Sequence, residues 1–222
     1  MFENSWATGN NPAVDSIYQR MIAQWPDTQG HVANTATGGA TADMLADQAD
    51  SALTQVPNPR LVIIETIDND ITCDGRDAGH VSDFGKSVDS ALQLIAHRSP
   101  KSRILILSQP ARPATDIAAM TAGSNKAAFI QSATGPAPCG FYNDKGEPQP
   151  NNVATLTAII EAYEAEQARV CARYQTCTTD KGALHSYVNR AEFLSSDLNH
   201  RNITGLAALA EAVWPSVLAA LP

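Results

Sequence analysis

Apolar residues recur along the chain with two different spacings. Residues 60–66 (RLVIIET) and 102–109 (SRILILSQ) contain continuous runs of β-branched residues and leucine, which indicate strands buried on both faces. Residues 83–97 carry their apolar side chains at helical spacing, and Asp83 stands at the N-cap position of this predicted helix. Segments of the two kinds alternate along the chain, which is the pattern of strands joined by helices.

The remainder of the chain continues this alternation. Further helices are predicted over 13–25, through Met44, Leu45 and Leu53, and over 153–174 and 202–220, and further strands at 31–34 and 176–179. The segment 111–152 is irregular, with a short helix predicted near 114–131. The pattern predicts one α/β domain over residues 1–222, a three-layer α/β/α sandwich with a mainly parallel sheet.

Composition and charge narrow the classes of function. The 222 residues carry a formal net charge of −8 and no run of five basic residues, so nucleic acid is not an expected partner. No apolar stretch approaches the roughly 20 residues that span a bilayer, so no transmembrane segment is expected. The opening MFENSWATGN has neither the basic nor the apolar region of a signal peptide.

The four cysteines are Cys73, Cys139, Cys171 and Cys177. They form no C-x-x-C pair and have no histidine at zinc-ligand spacing, so no metal site is expected. Cys171 and Cys177 lie six apart and could close a small disulfide loop. Cys73 and Cys139 both lie in loops that follow strands and could meet at one end of the sheet. Two disulfides would indicate an oxidising compartment, and four free buried thiols are the alternative.

The strongest candidate for chemistry is the segment D197-L-N-H200, which precedes the last helix. An Asp three residues before a His can bond to the imidazole and fix its tautomer, which leaves the other nitrogen free to act as a base. The alternative is that Asp197 or Asn199 only caps the helix. A second D-x-x-H, from Asp77 to His80, lacks a comparable continuation, and we interpret it as a solvated loop.

Three further segments follow predicted strands or open the chain. Paired glycines in N34-T-A-T-G38-G39 leave amide hydrogens free to point at an anion. Asn69, at a strand tip, can donate its side-chain amide to a developing oxyanion. Ser5 lies in F2-E-N-S-W-A-T-G9. Alone, the paired glycines are equally typical of a turn, Asn69 is more often a turn former, and Ser5 is no evidence of chemistry. The G-x-S-x-G elbow of the α/β-hydrolases does not occur in the sequence.

Taken in order, these segments resemble the four sequence blocks of the SGNH (GDSL-like) hydrolases, which have a flavodoxin-like sheet. The family pattern is G-D-S, N-x-G-x-x-G, G-x-N-D and D-x-x-H, and the four segments extend over nearly the whole chain. The resemblance implies that Ser5 is the nucleophile, His200 the general base and Asp197 its orienting carboxylate. It implies an oxyanion hole made by the amides of Ser5 and Gly39 and the side chain of Asn69, with no cofactor.

The sequence departs from the family pattern at several positions. Glu3-Asn4 replaces the Gly-Asp before the serine, Ala36 replaces one glycine, and the leading glycine of the third block is lost. The family has a strand of about five apolar residues before the serine, whereas only Met1 and Phe2 precede this segment. We therefore expect a truncated first strand and favour a chain start that is assigned too late.

The resemblance, strongest to secreted actinobacterial members with paired cysteines, predicts a serine ester hydrolase acting on a small-molecule, glycan or lipid ester. We expect a monomer that is secreted or extracytoplasmic. The alternative is a catalytically impaired protein of the same fold that binds carbohydrate or a partner. A nucleotide-binding function is disfavoured because the sequence has no G-x-x-x-x-G-K-[ST] loop.

Overall fold

Three short parallel strands form the sheet of the computed structural model, which describes residues 3–135 and 139–221. They are β1 (Leu61–Ile64), β2 (Arg103–Ile106) and β3 (Cys177–Thr179), in the spatial order β1-β2-β3. Leu61 is paired with Arg103, and Ile104 is paired with Cys177. The β2 strand is therefore central, and its Ile104, Leu105 and Ile106 are fully buried.

Seven helices surround this sheet in the described part of the chain. The bounds are α1 (Ile17–Gln24), α2 (Leu45–Gln55), α3 (Asp77–Arg98), α4 (Pro113–Thr121), α5 (Lys126–Ser132), α6 (Pro150–Cys171) and α7 (Ile203–Ala220). Each parallel connection between strands contains a helix, as crossovers in such sheets require.

The helices divide between the two faces of the sheet because side chains alternate along each strand. Ile104 and Ile106 of β2 lie in a core cluster with residues of α2, α3 and α6. Leu105 and Leu107 lie in a second cluster, with residues of α1 and α7. The predicted three-layer α/β/α sandwich is confirmed.

The last helix, α7, has a hydrogen-bonded N-cap and a long apolar sequence. Asn202 caps α7 by accepting a hydrogen bond from the Gly205 amide at 3.0 Å. Its side-chain nitrogen donates to the carbonyls of Glu192 and Leu194, both at 2.9 Å. A side chain on Gly205 would meet the Phe193 carbonyl, so glycine is required where the helix approaches this loop.

The α7 helix is also the one described helix whose length and composition would allow it to cross a bilayer. The sequence-based expectation overlooked this segment of 18 residues. Leu209, Val213 and Val217 are fully buried in the cluster beside β2 and α1. One face of α7 is therefore packed against the core, and Ile203 and Leu218 on the helix are exposed.

Several boundaries differ from those predicted. The α3 helix begins at Asp77, so Asp83 lies inside the helix and is not its N-cap. His80, assigned to a solvated loop, lies in this first part of α3 and contacts Asp74. Residues 31–34 have no ladder partner and are irregular, and the 114–131 segment is two helices. Met1 and Phe2, on which the truncated first strand was predicted, lie outside the described residues.

All four cysteines are paired, Cys73 with Cys139 and Cys171 with Cys177. The second bond joins the end of α6 to the start of β3. The first joins the loop after β1 to the irregular segment before α6, across a sequence separation of 66 residues. Both disulfides that the sequence analysis considered are therefore present.

We expect Asn202→Ala to destabilise the fold by about 1–2 kcal/mol, because it removes the cap of α7 together with two side-chain bonds to the preceding loop. Urea unfolding followed by circular dichroism measures this loss. Asn199→Ala, three residues earlier in the same loop, is the matched control and should stay within about 0.5 kcal/mol of the parent. Equal loss in both variants would contradict the capping role.

Candidate active site

The Asp197–His200 pair is formed as predicted. Asp197 Oδ2 lies 2.8 Å from His200 Nδ1, and Oδ1 accepts the backbone amides of Asn199 and His200, both at 3.0 Å. Leu198 takes a φ of 57°, which turns the chain so that one carboxylate reaches all three groups. These hydrogen bonds lower the pKa of Asp197 to about 2. The carboxylate is therefore charged at neutral pH, and Nε2 of the imidazole remains free to accept a proton.

Ser5 lies in a tight turn that its own side chain helps to hold. Its Oγ accepts the amides of Ala7 and Thr8, at 3.3 and 3.2 Å, and the Thr8 hydroxyl at 3.2 Å. The amide of Gly9 donates to the Ser5 carbonyl at 2.9 Å. A side chain at Gly9 would come within 2.4 Å of the Glu3 carbonyl, so the close turn requires glycine. The turn is anchored on α1, whose Ile17 amide donates to the Trp6 carbonyl.

The first three candidate segments meet at the carboxyl ends of the strands. Asn34 donates its side-chain amide to Ser5 Oγ at 3.3 Å and to Thr8 Oγ1 at 2.6 Å. Asn69 donates its side-chain amide to the Ala40 carbonyl at 3.1 Å. Gly39 takes a φ of 77° and has open space where a side chain would point. These contacts join the first segment to the second and the second to the third.

Ile67 occupies the position where the family pattern has its leading glycine. Its φ is 98°, a backbone conformation that favours glycine and that costs a β-branched residue about 1–3 kcal/mol. The Ile67 side chain is fully buried in the core cluster with Phe84 and Val88, which offsets part of that cost. The turn into Asn69 therefore keeps its unusual backbone shape without the glycine.

A cleft of about 490 Å³ connects the second, third and fourth segments. Asn69, Asn199 and Arg201 line its polar side. Its apolar wall comes from the irregular segment and the loop before α7, namely Met120, Phe129, Phe141, Leu194 and Leu198. A second cavity of about 760 Å³, which we call the edge groove, is lined by Ser5 to Thr8, residues 31–36 and the whole of β1.

The structure does not bring the two halves of the predicted triad into contact. Among the described residues, the hydrogen-bond partners of Ser5 Oγ are Ala7, Thr8 and Asn34, and His200 is not one of them. The His200 side chain is 79% exposed, whereas Ser5 faces the edge groove. Within the same part of the chain, no group of three or more His, Cys, Asp and Glu residues could hold a metal ion.

Sequence reasoning missed three charged residues that line the cleft. Burial raises the pKa of Glu65, although the positive charge of Arg201 acts in the opposite direction. Glu65 follows β1, lines both cavities and is accessible to water from them. Burial also raises the pKa of Asp116, which accepts two hydrogen bonds from Asn189. The sequence signal available for Arg201 is its position directly after His200.

A half-buried ion pair supports the loop after β2. Arg112 Nη2 lies 2.6 Å from Glu164 Oε2, and His185 Nε2 lies 3.1 Å from the same oxygen. The Gln109 amide also donates to Glu164 at 3.0 Å. Because Arg112 and Gln109 line the cleft, this carboxylate on α6 fixes the loop after β2 in place.

Solved structures with the same fold provide the comparison. The crystal structure of TesA matches with a TM-score of 0.53 and 16% identity, over 100% of this chain and 91% of that chain. The extracellular lipase of Streptomyces rimosus matches with a TM-score of 0.52 and 16% identity, over 98% and 95%. No family model and no curated protein matches the sequence. The predicted fold of the SGNH (GDSL-like) hydrolases is confirmed, and at this identity the likeness concerns the fold alone.

The raised pKa of Glu65 predicts a pH dependence of stability. The folded state keeps the proton at pH values where the unfolded state has lost it, so folding stability falls as the pH rises above about 4.5. Glu65→Gln cannot ionise at this position, so it removes this fall in folding stability. We expect its melting temperature to match that of the parent near pH 4 and to exceed it at pH 7.

Calorimetry from pH 4 to pH 7 measures the effect. Glu161→Gln, at an exposed position of α6, is the control, and its profile should run parallel to that of the parent. If the melting temperature of Glu65→Gln also runs parallel to that of the parent from pH 4 to pH 7, ionisation of Glu65 does not destabilise the fold.

Proposed function

We propose that this protein is a serine ester hydrolase that uses Ser5, His200 and Asp197 through an acyl-enzyme. The observation that carries the proposal is the Asp197–His200 hydrogen bond of 2.8 Å, with the same carboxylate held by two backbone amides. Such a pair orients an imidazole as a base toward a hydroxyl. The shared fold with TesA and with an extracellular lipase supports the proposal independently.

In the proposed reaction, Ser5 Oγ attacks the ester carbonyl carbon as its proton passes to His200 Nε2. The tetrahedral oxyanion is stabilised by the amides of Ser5 and Gly39 and the side chain of Asn69. Collapse of this intermediate breaks the ester bond, and the leaving alcohol takes the proton from His200. Water then attacks the acyl-enzyme with His200 again as the base, which releases the acid and restores Ser5.

Ser5 and Asn69 must change partners for this reaction to proceed. Ser5 Oγ now accepts hydrogen bonds within its own turn, and Asn69 donates to the Ala40 carbonyl. Because Ser5 Oγ is an acceptor in all of these bonds, its own hydrogen is available to a base. The His200 side chain is 79% exposed, so the reaction also requires it to approach the serine. Catalytic contacts often tighten only when substrate is bound.

The cleft supports an ester of small or medium acyl size as the substrate, provided that Ser5 and His200, neither of which lines it, approach it during the reaction. Its apolar wall, formed by Met120, Phe129, Phe141, Leu194 and Leu198, suits an acyl chain, while Asn69 and Arg201 provide a polar side for the ester group. The two disulfides support a secreted or extracytoplasmic protein, because such bonds persist in oxidising compartments.

A binding protein of the same fold is the second candidate. It is favoured by the hydrogen bonds that hold Ser5 Oγ in a turn, which is also how a purely structural serine behaves. Hydrolysis assays separate the two candidates.

We expect Ser5→Ala to reduce the hydrolysis of p-nitrophenyl acetate and butyrate at least about 1000-fold, because it removes the nucleophile. Ser90→Ala, at an exposed position of α3, is the control and should retain full activity. His200→Ala should lose activity to a similar extent. His80→Ala is its matched control, because His80 also contacts an aspartate, Asp74, but lies in α3 outside the four candidate segments. Equal hydrolysis by Ser5→Ala and the parent would eliminate Ser5 as the nucleophile and favour the binding protein.

Asn69→Ala should reduce kcat about 100- to 1000-fold with little change in KM, because an oxyanion donor acts mainly in the transition state. Steady-state kinetics with p-nitrophenyl butyrate measure the two constants separately. Asn151→Ala, at an exposed position in the first turn of α6, is the control. A loss confined to KM would place Asn69 in substrate binding instead.

A further inference from the structure

Arg201 is a cleft residue whose charge has no partner at contact distance. In the described part of the chain, every arginine except Arg103 and Arg201 lies within ion-pair distance of a carboxylate. Arg103 donates its Nε to the Ala220 carbonyl at 3.0 Å. Arg201 is half-buried, and its Nε is buried without a hydrogen-bond partner among the described residues. Such an arginine is unusual, because withdrawing a charge from water is costly unless another charge replaces the water.

The backbone holds Arg201 beside the apolar wall of the cleft. Arg201 forms an isolated antiparallel bridge with Leu194, and the adjacent amide of Ser195 donates to the His200 carbonyl at 2.7 Å. Opposite residues of an antiparallel pair place their side chains on the same face. Leu194 and Arg201 both line the cleft. The cleft therefore presents an apolar surface directly beside a positive charge.

The Tyr187 ring packs against the guanidinium and limits its movement. Arg201 Cζ lies 5.3 Å from the centroid of this ring, which is the distance of a cation–π contact. Tyr187 is itself buried, and its hydroxyl donates to the Gly205 carbonyl at 3.2 Å. The guanidinium is therefore held in place before a ligand arrives, which reduces the entropy that binding costs.

The two carboxyls on which Arg201 acts do not neutralise it at contact distance. Its positive charge influences Glu65 and Asp116, but neither forms an ion pair with it in the described chain. Burial raises the pKa of both carboxyls, so each carries less negative charge at a given pH than an exposed carboxyl. The two oxygens of Asp116 accept hydrogen bonds from Asn189, at 3.0 and 2.8 Å.

The other charged residues that line the cleft have partners in the fold. Arg112 lies 2.6 Å from a Glu164 oxygen, so its charge is already compensated. Asp68 Oδ1 accepts a hydrogen bond from the Gln109 side chain at 3.3 Å. Arg201 is therefore the positive charge in the cleft that remains available to a ligand.

We propose that Arg201 binds a carboxylate at the end of the acyl chain of the substrate, so that the preferred substrates are monoesters of dicarboxylic acids. A guanidinium offers parallel N–H donors that match the two oxygens of a carboxylate. Asn69 faces the ester oxygen in the proposed reaction, the apolar wall receives the methylene groups, and Arg201 receives the terminal charge. The anion contact rests on the cleft alone, and its role in substrate choice rests on the proposed function.

Binding is measured by NMR titration with two probes that contain no ester. Adipamate, the monoamide of adipic acid, carries one carboxylate, and adipamide, the neutral diamide, has the same carbon chain. We expect the parent to bind adipamate at least about tenfold more tightly, because the diamide cannot form a charge-assisted hydrogen bond with a guanidinium. The Arg201 Nε–H resonance should shift on addition of adipamate.

Variants at position 201 assign the contact. Arg201→Gln should bind the two probes equally, and Arg201→Lys should keep part of the preference because it retains the charge. Arg190→Gln, at an exposed position in the segment before α7, is the matched control and should bind as the parent does. Circular dichroism checks that the variants fold. Should Arg201→Gln not fold, the comparison of the two probes on the parent chain and on Arg201→Lys decides the outcome.

Substrate choice is measured with mono-p-nitrophenyl adipate and p-nitrophenyl hexanoate, whose acyl chains contain the same number of carbons. The parent should have a kcat/KM at least about tenfold higher for the adipate monoester. Arg201→Gln should lower kcat/KM for this ester about 10- to 100-fold and should change that for the hexanoate ester less than about threefold.

The outcomes separate the anion contact from the proposed function. Equal affinity of the parent for adipamate and adipamide overturns the contact, and an undiminished preference in Arg201→Gln overturns Arg201 as its source. A preference for adipamate with equal hydrolysis of the two esters overturns the substrate class. If neither ester is hydrolysed, the proposed function fails, and the NMR titration still supports or overturns the anion contact.

Discussion

A parallel sheet satisfies its backbone only when each inner strand has a neighbour on both sides, and β1 has a described neighbour on one side alone. The β2 strand is paired on both sides, and its central residues are fully buried. Leu61, Val62 and Ile63 of β1 remain half-buried. The edge groove lies along this side of β1, between the strand and residues 31–36, and Glu65 lines its end.

The Asp197–His200 pair of the candidate triad is held by local contacts, whereas the position of Ser5 depends on residues that are distant in the sequence. The Asp197–His200 pair is closed within four residues by a turn and by backbone amides. It therefore keeps its geometry largely independently of the sheet. Ser5 is separated from His200 by almost the whole chain, so their approach depends on how the Ser5 turn is seated on α1 and at the end of β1. Local contacts therefore set the position of His200, whereas long-range packing sets the position of Ser5.

The sequence was sufficient where local chemistry determines the structure. Continuous apolar runs identified β1 and β2, because short runs rich in β-branched residues are typical of strands covered on both faces. Helix α7 was predicted to within one residue because its body is strongly apolar and Asn202 caps its start. The Asp197–His200 contact was predicted because a D-x-x-H turn brings the two side chains together without help from other elements.

The sequence was insufficient where distant elements decide the outcome. Residues 31–34 were predicted to be a strand from their place in the alternation, but a strand also requires a ladder partner, which no local pattern encodes. The start of α3 was missed because Gly79 and the polar residues around it weaken the helical pattern there. Glu65 follows an apolar strand like an ordinary surface carboxylate. Its raised pKa results from packing between two cavities that only the folded chain creates.

Glu65 also connects the edge groove to the chemistry of the cleft. Its carboxyl lies between the two cavities, and Arg201, which directly follows His200, is the main positive charge that acts on it. Trp6, in the turn of Ser5, also contacts this carboxyl. Glu65 is therefore influenced both by the residue after the candidate base and by the residue after the candidate nucleophile. Because burial raises its pKa, the charge at this position between the two cavities depends on pH.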